Sequence, residues 1–150
     1  MIAVARLAIA IGLLGLLPFI FGAGSLFCWP EHSVWLMKYF YVYSAGILAF
    51  MAGVYWPIAM QLEDRCYPLS PLSTMLISQF FFVTAGVALL LPFSWQIMLY
   101  PLAYIVLYIV DVHWMHLYWP RWYQKLRLVL TSVAVIAQVV VAGWFLSATA

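Results

Sequence analysis

Residues 34–60 read VWLMKYFYVYSAGILAFMAGVYWPIAM, a run in which Lys38 is the one charged side chain. A helix rises about 1.5 Å per residue, so the run exceeds the roughly 20 residues that cross a hydrocarbon core about 30 Å thick. Its surplus length predicts a helix that tilts or extends past the bilayer. Outward from it lie four further runs of the same character: Leu7–Phe27, Thr74–Leu91, Trp95–His116 and Leu128–Ser147. The connecting stretches are short and polar or proline-marked: CWPEHS at 28–33, LEDRCYPLSP at 62–71, PFS at 92–94 and PRWYQK at 120–125. No stretch remains for a soluble domain. The expectation is an all-α integral membrane protein, a compact single-domain bundle of five transmembrane helices over residues 7–27, 34–60, 74–91, 95–116 and 128–147.

Composition points the same way. The chain is 69% hydrophobic and 7% charged, against roughly 25% charged residues in soluble domains. So few charges cannot coat a globule in water, whereas a bundle in lipid needs an apolar exterior. A net charge of +2 lacks the clustered basic face of nucleic-acid binders, and no nucleic-acid partner is expected.

Basic residues gather on the cytoplasmic side of short loops. With five spans, Arg6, Arg65, Arg121, Lys125 and Arg127 fall on one side and only Lys38 on the other. This predicts a cytoplasmic N-terminus and an outer C-terminus. Tryptophan prefers the headgroup level, and all eight fit: Trp29, Trp35, Trp95 and Trp144 near the outer boundary, Trp56, Trp114, Trp119 and Trp122 near the inner one. Arg6 before an apolar run loosely resembles a secretory signal, but the run is too long for a typical signal core and is expected to stay in the mature protein. Cys28 and Cys66 then lie on opposite sides of the bilayer and form no intrachain disulfide.

Small residues mark helix contacts in lipid. Ala45, Ala49 and Gly53 recur every four residues, which predicts a packing face on the second span. Gln79 and Gln138 lie inside spans three and five, where an amide without a partner is costly and seeks a neighbouring helix.

Asp111 is the one acidic residue inside a span, and an intramembrane carboxylate raises a functional hypothesis. At about 100° per residue, Tyr100, Tyr104, Tyr108 and Asp111 fall within a sector of about 80°, a polar stripe on the fourth helix. Such a stripe could line a hydrated path for a proton, an ion or a small polar solute. The alternative is an ion pair of Asp111 with Arg121 or Arg127, with the tyrosines bonding to other helices.

The string DVHWMH places His113 and His116 one helical turn apart, a weak metal pattern. On a continuous helix both point more than about 100° away from Asp111, so a third ligand would have to come from elsewhere, such as Glu63 or Asp64. No metal is expected. His32 lies across the membrane from the other two, which argues against a bis-histidine haem. No catalytic or phosphate-binding motif occurs, so neither an enzyme nor a cofactor is expected. Arg121, Lys125 and Arg127 stand beside Trp119, Trp122 and Tyr123 at the inner boundary, where anionic lipid headgroups would fit.

Four stretches together resemble a family of small bacterial membrane proteins catalogued as a domain of unknown function, with a mitochondrial transmembrane relative. They are GLLGLLPF (Gly12–Phe19), YSAGILAFMAGVYW (Tyr43–Trp56), the aspartate late in the fourth span, and RWYQKLRLVLT (Arg121–Thr131). The resemblance implies a five-helix membrane domain with Gly53, Trp56, Asp111, Tyr123 and Arg127 at family-like positions, and it implies no activity. Pro57 stands where a glycine is usual, and VHWMH follows Asp111 where a more basic stretch is usual. A bacterial cytoplasmic membrane is the expected location, since the short N-terminus lacks an Arg- and Ser-rich mitochondrial presequence.

Two functions are compatible with these residues. One is transport or permeability through the polar stripe. The other is a non-catalytic membrane factor that supports envelope integrity or stabilises a larger membrane complex, as a homo-oligomer or with other partners.

Overall fold

The computed structural model describes residues 2–61 and 69–150, and among them every regular element is helical. Five helical stretches are long and apolar enough to cross a membrane: Ile2–Cys28, Pro30–Gln61, Pro71–Ala88, Phe93–His113 and Arg121–Thr149. Such a set fits a multi-pass membrane protein. Arg65, Cys66, Glu63 and Asp64 lie outside the described residues.

Prolines divide the first two stretches. The first is α1 (Ile2–Leu14) followed by α2 (Leu17–Cys28). Pro18 has no N–H to give to Leu14, so the helix breaks at Gly15 and Leu16. The Gly15 carbonyl accepts instead from the Tyr43 hydroxyl at 2.6 Å. A 3-10 turn at Pro30–His32 leads into α3 (Ser33–Gly53), and after Val54 the chain resumes as α4 (Tyr55–Gln61). Pro57 withholds the bond that Gly53 would have received and so separates α3 from α4. Two residues before Val54, the Ala52 carbonyl accepts from Ser78 Oγ at 2.8 Å.

Helix α5 (Pro71–Ala88) opens on Ser70, whose Oγ accepts from the Ser73 N–H at 3.2 Å, a normal N-cap. Helix α6 (Phe93–His113) keeps its course through Pro101. It ends at His113 rather than His116, and Met115 folds back fully buried before the chain turns at Pro120 into α7 (Arg121–Thr149).

α3 packs against α2, α5 and α6, and α7 against α1, α2 and α6. The core holds Tyr41, Tyr55, Tyr100, Tyr104, Leu48, Leu107 and Met115. Tyr41 stacks on Tyr100 with ring centroids 5.5 Å apart, and Phe19 meets Phe40 edge to face at 5.7 Å. The outer surface is leucine, valine, isoleucine and phenylalanine, and α1 buries no residue at all. Hydrocarbon is as apolar as these side chains, so their exposure carries no penalty there.

The expected packing face on the second span needs correction. Ala45 is buried and Ala49 half-buried, but Gly53 is exposed, and a Cβ on it would meet nothing within 4 Å. Steps of four residues advance about 40° beyond a full turn, so two steps carry Gly53 off the contact face. The contact face runs instead through Ser44, Ala45, Leu48, Met51 and Ala52. Among the glycines the tightest surroundings are at Gly22, where a Cβ would lie 2.8 Å from Phe40 Cδ2. The two glutamines also part ways. Gln138 is fully buried on α7 with neither amide atom hydrogen-bonded among the described residues, whereas Gln79 is exposed and Ser78 takes the inward position beside it.

Candidate functional site

Two chain breaks bring the site together. Asp111 sits in the last turn of α6, Arg127 in the second turn of α7, and Tyr55 is the first residue after the α3–α4 gap. Asp111 is 4% exposed and Arg127 2%. Asp111 Oδ2 accepts a hydrogen bond from Arg127 Nε at 2.7 Å and lies 2.5 Å from Nη2 as an ion pair. Its other oxygen, Oδ1, accepts from the Tyr55 hydroxyl. Arg127 Nη1 points to the Met51 carbonyl at 3.4 Å, at the end of α3. The Tyr123 ring covers the guanidinium with its centroid 5.9 Å from Cζ, within the range of a cation–π contact. Trp119 lies against Tyr123 at 4.6 Å and near Tyr55 at 6.3 Å.

Two charges withdrawn from water are costly unless they are paired and further hydrogen-bonded. Here the carboxylate is neutralised by one guanidinium and capped by one phenol. The cluster ties α4, α6 and α7 to the end of α3.

Of the two arginines expected as partners, Arg127 meets Asp111, while Arg121 is exposed at the start of α7, as is Lys125. The tyrosine stripe divides. Tyr100 donates to the Ala85 carbonyl of α5 at 2.8 Å, and Tyr104 to the Ser44 carbonyl of α3 at 2.7 Å. These two hydroxyls bridge helices. Only Tyr108 shares a cavity with Asp111, a space of about 190 Å³ also bordered by His116, Trp119, Gln124 and Arg127. Gln124 Nε2 donates to the His116 carbonyl at 2.7 Å and so holds the turn that forms this wall.

On the opposite side of Arg127 lies a larger crevice of about 820 Å³ between α1, α2, α3 and α7. Gly12, Gly15 and Phe19 form one wall, Ile47 and Met51 another, and Trp122, Tyr123 and Arg127 its basic end. Trp119 borders both spaces, and its indole N–H has no hydrogen-bond partner among the described residues. His113 and His116 are exposed, and no group of three or more metal-ligand side chains occurs among the described residues.

A family model described as "Protein of unknown function (DUF3429)" matches residues 4–143, nearly the whole chain. The chain belongs to the DUF3429 family. This agrees with the resemblance to a membrane domain of unknown function carried by the four sequence stretches. No curated protein and no solved structure matches the chain. The matched region of this DUF3429 protein contains every residue of the buried cluster and both cavities beside it.

Sequence reasoning missed Tyr55, Tyr43 and Ser78 as partners. The signal for Tyr43 and Ser78 was the prolines: each proline interrupts a helix, and each hydroxyl satisfies a carbonyl at or beside the break. Tyr55 stood two residues before Pro57, at the start of the segment that the break redirects.

Proposed function

We propose that this DUF3429 protein is a non-catalytic, multi-pass factor of the bacterial cytoplasmic membrane that holds an anionic lipid in its crevice and supports envelope integrity or a larger membrane complex. The crevice volume of about 820 Å³ falls in the range of ligand pockets, about 300–1,000 Å³. The observation that carries the reading is the chemistry of its basic end. Helix α7 begins at this end of the crevice with no side-chain cap and no acidic residue in its first turn, and Arg121 and Lys125 are exposed on its first two turns, outside the crevice lining. A helix N-terminus already carries partial positive charge, so a basic residue such as Arg121 in the first turn is unfavourable until an anion joins it. A lipid phosphate supplies that anion, at about 1 kcal/mol of attraction per basic residue. The Trp119 N–H supplies a donor, and the apolar walls accept an acyl chain.

The test is native mass spectrometry of protein extracted from vesicles of mixed anionic and zwitterionic phospholipid. Anionic lipid should be retained preferentially, with a several-fold loss in the double variant Arg121→Ala, Lys125→Ala. Equal retention of both lipids by wild-type protein would overturn the reading.

The cavity shared by Tyr108, Asp111 and His116 favours a second reading, transport of a proton, ion or small polar solute past Asp111. Proton and monovalent-cation flux into liposomes separates the two. Background flux supports the lipid-binding factor, and flux lost in folded Asp111→Asn protein supports transport.

A further inference from the structure

The outward face of α5 carries a feature that lipid alone does not satisfy. Gln79 is exposed with no hydrogen-bond partner among the described residues, and its neighbours on the same face are exposed apolar residues: Leu76 at 61%, Phe80 at 64% and Val83 at 56%. α5 runs from Pro71 to Ala88, so Gln79 stands at its middle, about 13 Å from either end at 1.5 Å per residue. A side chain with two methylenes cannot reach the headgroups from there. An amide left in hydrocarbon without a partner is costly, and glutamine commonly recovers that cost by bonding across a helix interface.

The surroundings have the shape of an interface. Leu72, Leu76, Gln79, Val83 and Gly86 follow alternating steps of four and three residues along the exposed side of α5, the spacing of a helix–helix seam. Shallow depressions of about 450 and 490 Å³ flank the ridge, one against α6 and one against α3, and Val83 and Val87 border both. Gly46 and Gly86 lie in the second, and a Cβ on either would meet nothing within 4 Å, which leaves room for a backbone to approach.

We infer that α5 is a homodimer face and that Gln79 pairs with Gln79 of a second copy. The choice of a second copy rests on depth and chemistry. In a two-fold dimer whose axis runs along the membrane normal, every residue meets its copy at the same depth, so a midplane amide finds a midplane amide. A carboxamide offers both donor and acceptor, so two of them can exchange a pair of N–H···O bonds. Each ridge faces a depression of its mate. A different protein would need a polar residue of its own at the same depth.

The inference is independent of what occupies the crevice, which lies between α1, α2, α3 and α7. The first measurement is oxidative cross-linking in native membranes, with Cys28→Ser and Cys66→Ser combined with either Val83→Cys or, as a control, Ile136→Cys on the exposed side of α7. Val83→Cys should give a band at twice the 17.1 kDa chain, and the control should not. The second is energy transfer between two differently labelled copies in vesicles. Gln79→Leu should weaken association about three- to tenfold. Its monomer should unfold like wild type, because Gln79 has no polar partner among the described residues. Cross-linking equal at both positions, no concentration-dependent energy transfer, or unchanged association of Gln79→Leu would each overturn the inference.

Discussion

The two halves of the bundle are held by different forces. At the basic end, one carboxylate, one guanidinium and one phenol lock α4, α6 and α7 together in a buried site. Toward the other end the helices are joined by separate neutral bonds: Tyr104 to the Ser44 carbonyl, Tyr100 to the Ala85 carbonyl, and Gln96 to the Leu91 carbonyl at 2.7 Å. Aromatic contacts of Phe19, Phe40, Tyr41 and Tyr100 lie among them. A charged cluster fails as a unit, because removing one member leaves another charge buried alone. Neutral bonds fail one at a time, each costing about 1 kcal/mol or less in a membrane.

The largest effect is expected at the charged end. Asp111→Ala should lower stability by about 3–5 kcal/mol, since it leaves Arg127 buried and unpaired. Denaturant titration in bicelles reads this directly. Replacing both partners, Asp111→Leu with Arg127→Met, should recover much of the loss, because two charges then no longer need burial. A double variant as unstable as the single one would mean that the pair does more than neutralise itself.

Gly22→Val comes next. The added carbons enter Phe40, and overpacking of this kind costs about 1–3 kcal/mol. The same titration should show it, and an unchanged midpoint would mean that α2 and α3 can separate freely. Tyr104→Phe should cost about 1 kcal/mol, because the Ser44 carbonyl loses its cross-helix donor while the ring stays packed. A loss as large as that of Asp111→Ala would erase the distinction between the two halves. Smallest is Gly53→Ala, which faces open space and should stay within about 0.5 kcal/mol of wild type. A larger destabilisation would restore Gly53 to a contact surface.

The five apolar stretches and the one intramembrane carboxylate were legible because length and charge are one-dimensional properties of a chain. Which side of each helix turns inward was not. In soluble proteins the polar side of a helix reveals its buried side. These helices are apolar all round, so that contrast is missing, and Gly53 and Gln79 were assigned inward positions that Met51, Ala52 and Ser78 occupy. The tyrosine stripe on α6 was a correct angular reading of sequence, but it could not reveal that carbonyls of α3 and α5 stand opposite Tyr104 and Tyr100. Pairing was legible where charges are scarce: with so few basic side chains near α6, Asp111 had two arginines to choose from, and the shorter chain path to Arg121 lost to the inward-facing Arg127.

The Asp111–Arg127 bond also bears on how the chain is made. Only the turn between α6 and α7 separates the two charges, so they can neutralise each other while the helices are still leaving the insertion machinery. A charge entering hydrocarbon alone is penalised, whereas a joined pair is far less so. Helices α6 and α7 are therefore suited to enter as one hairpin. Synthesis paused between them would leave the carboxylate waiting at the lipid boundary for its counterion.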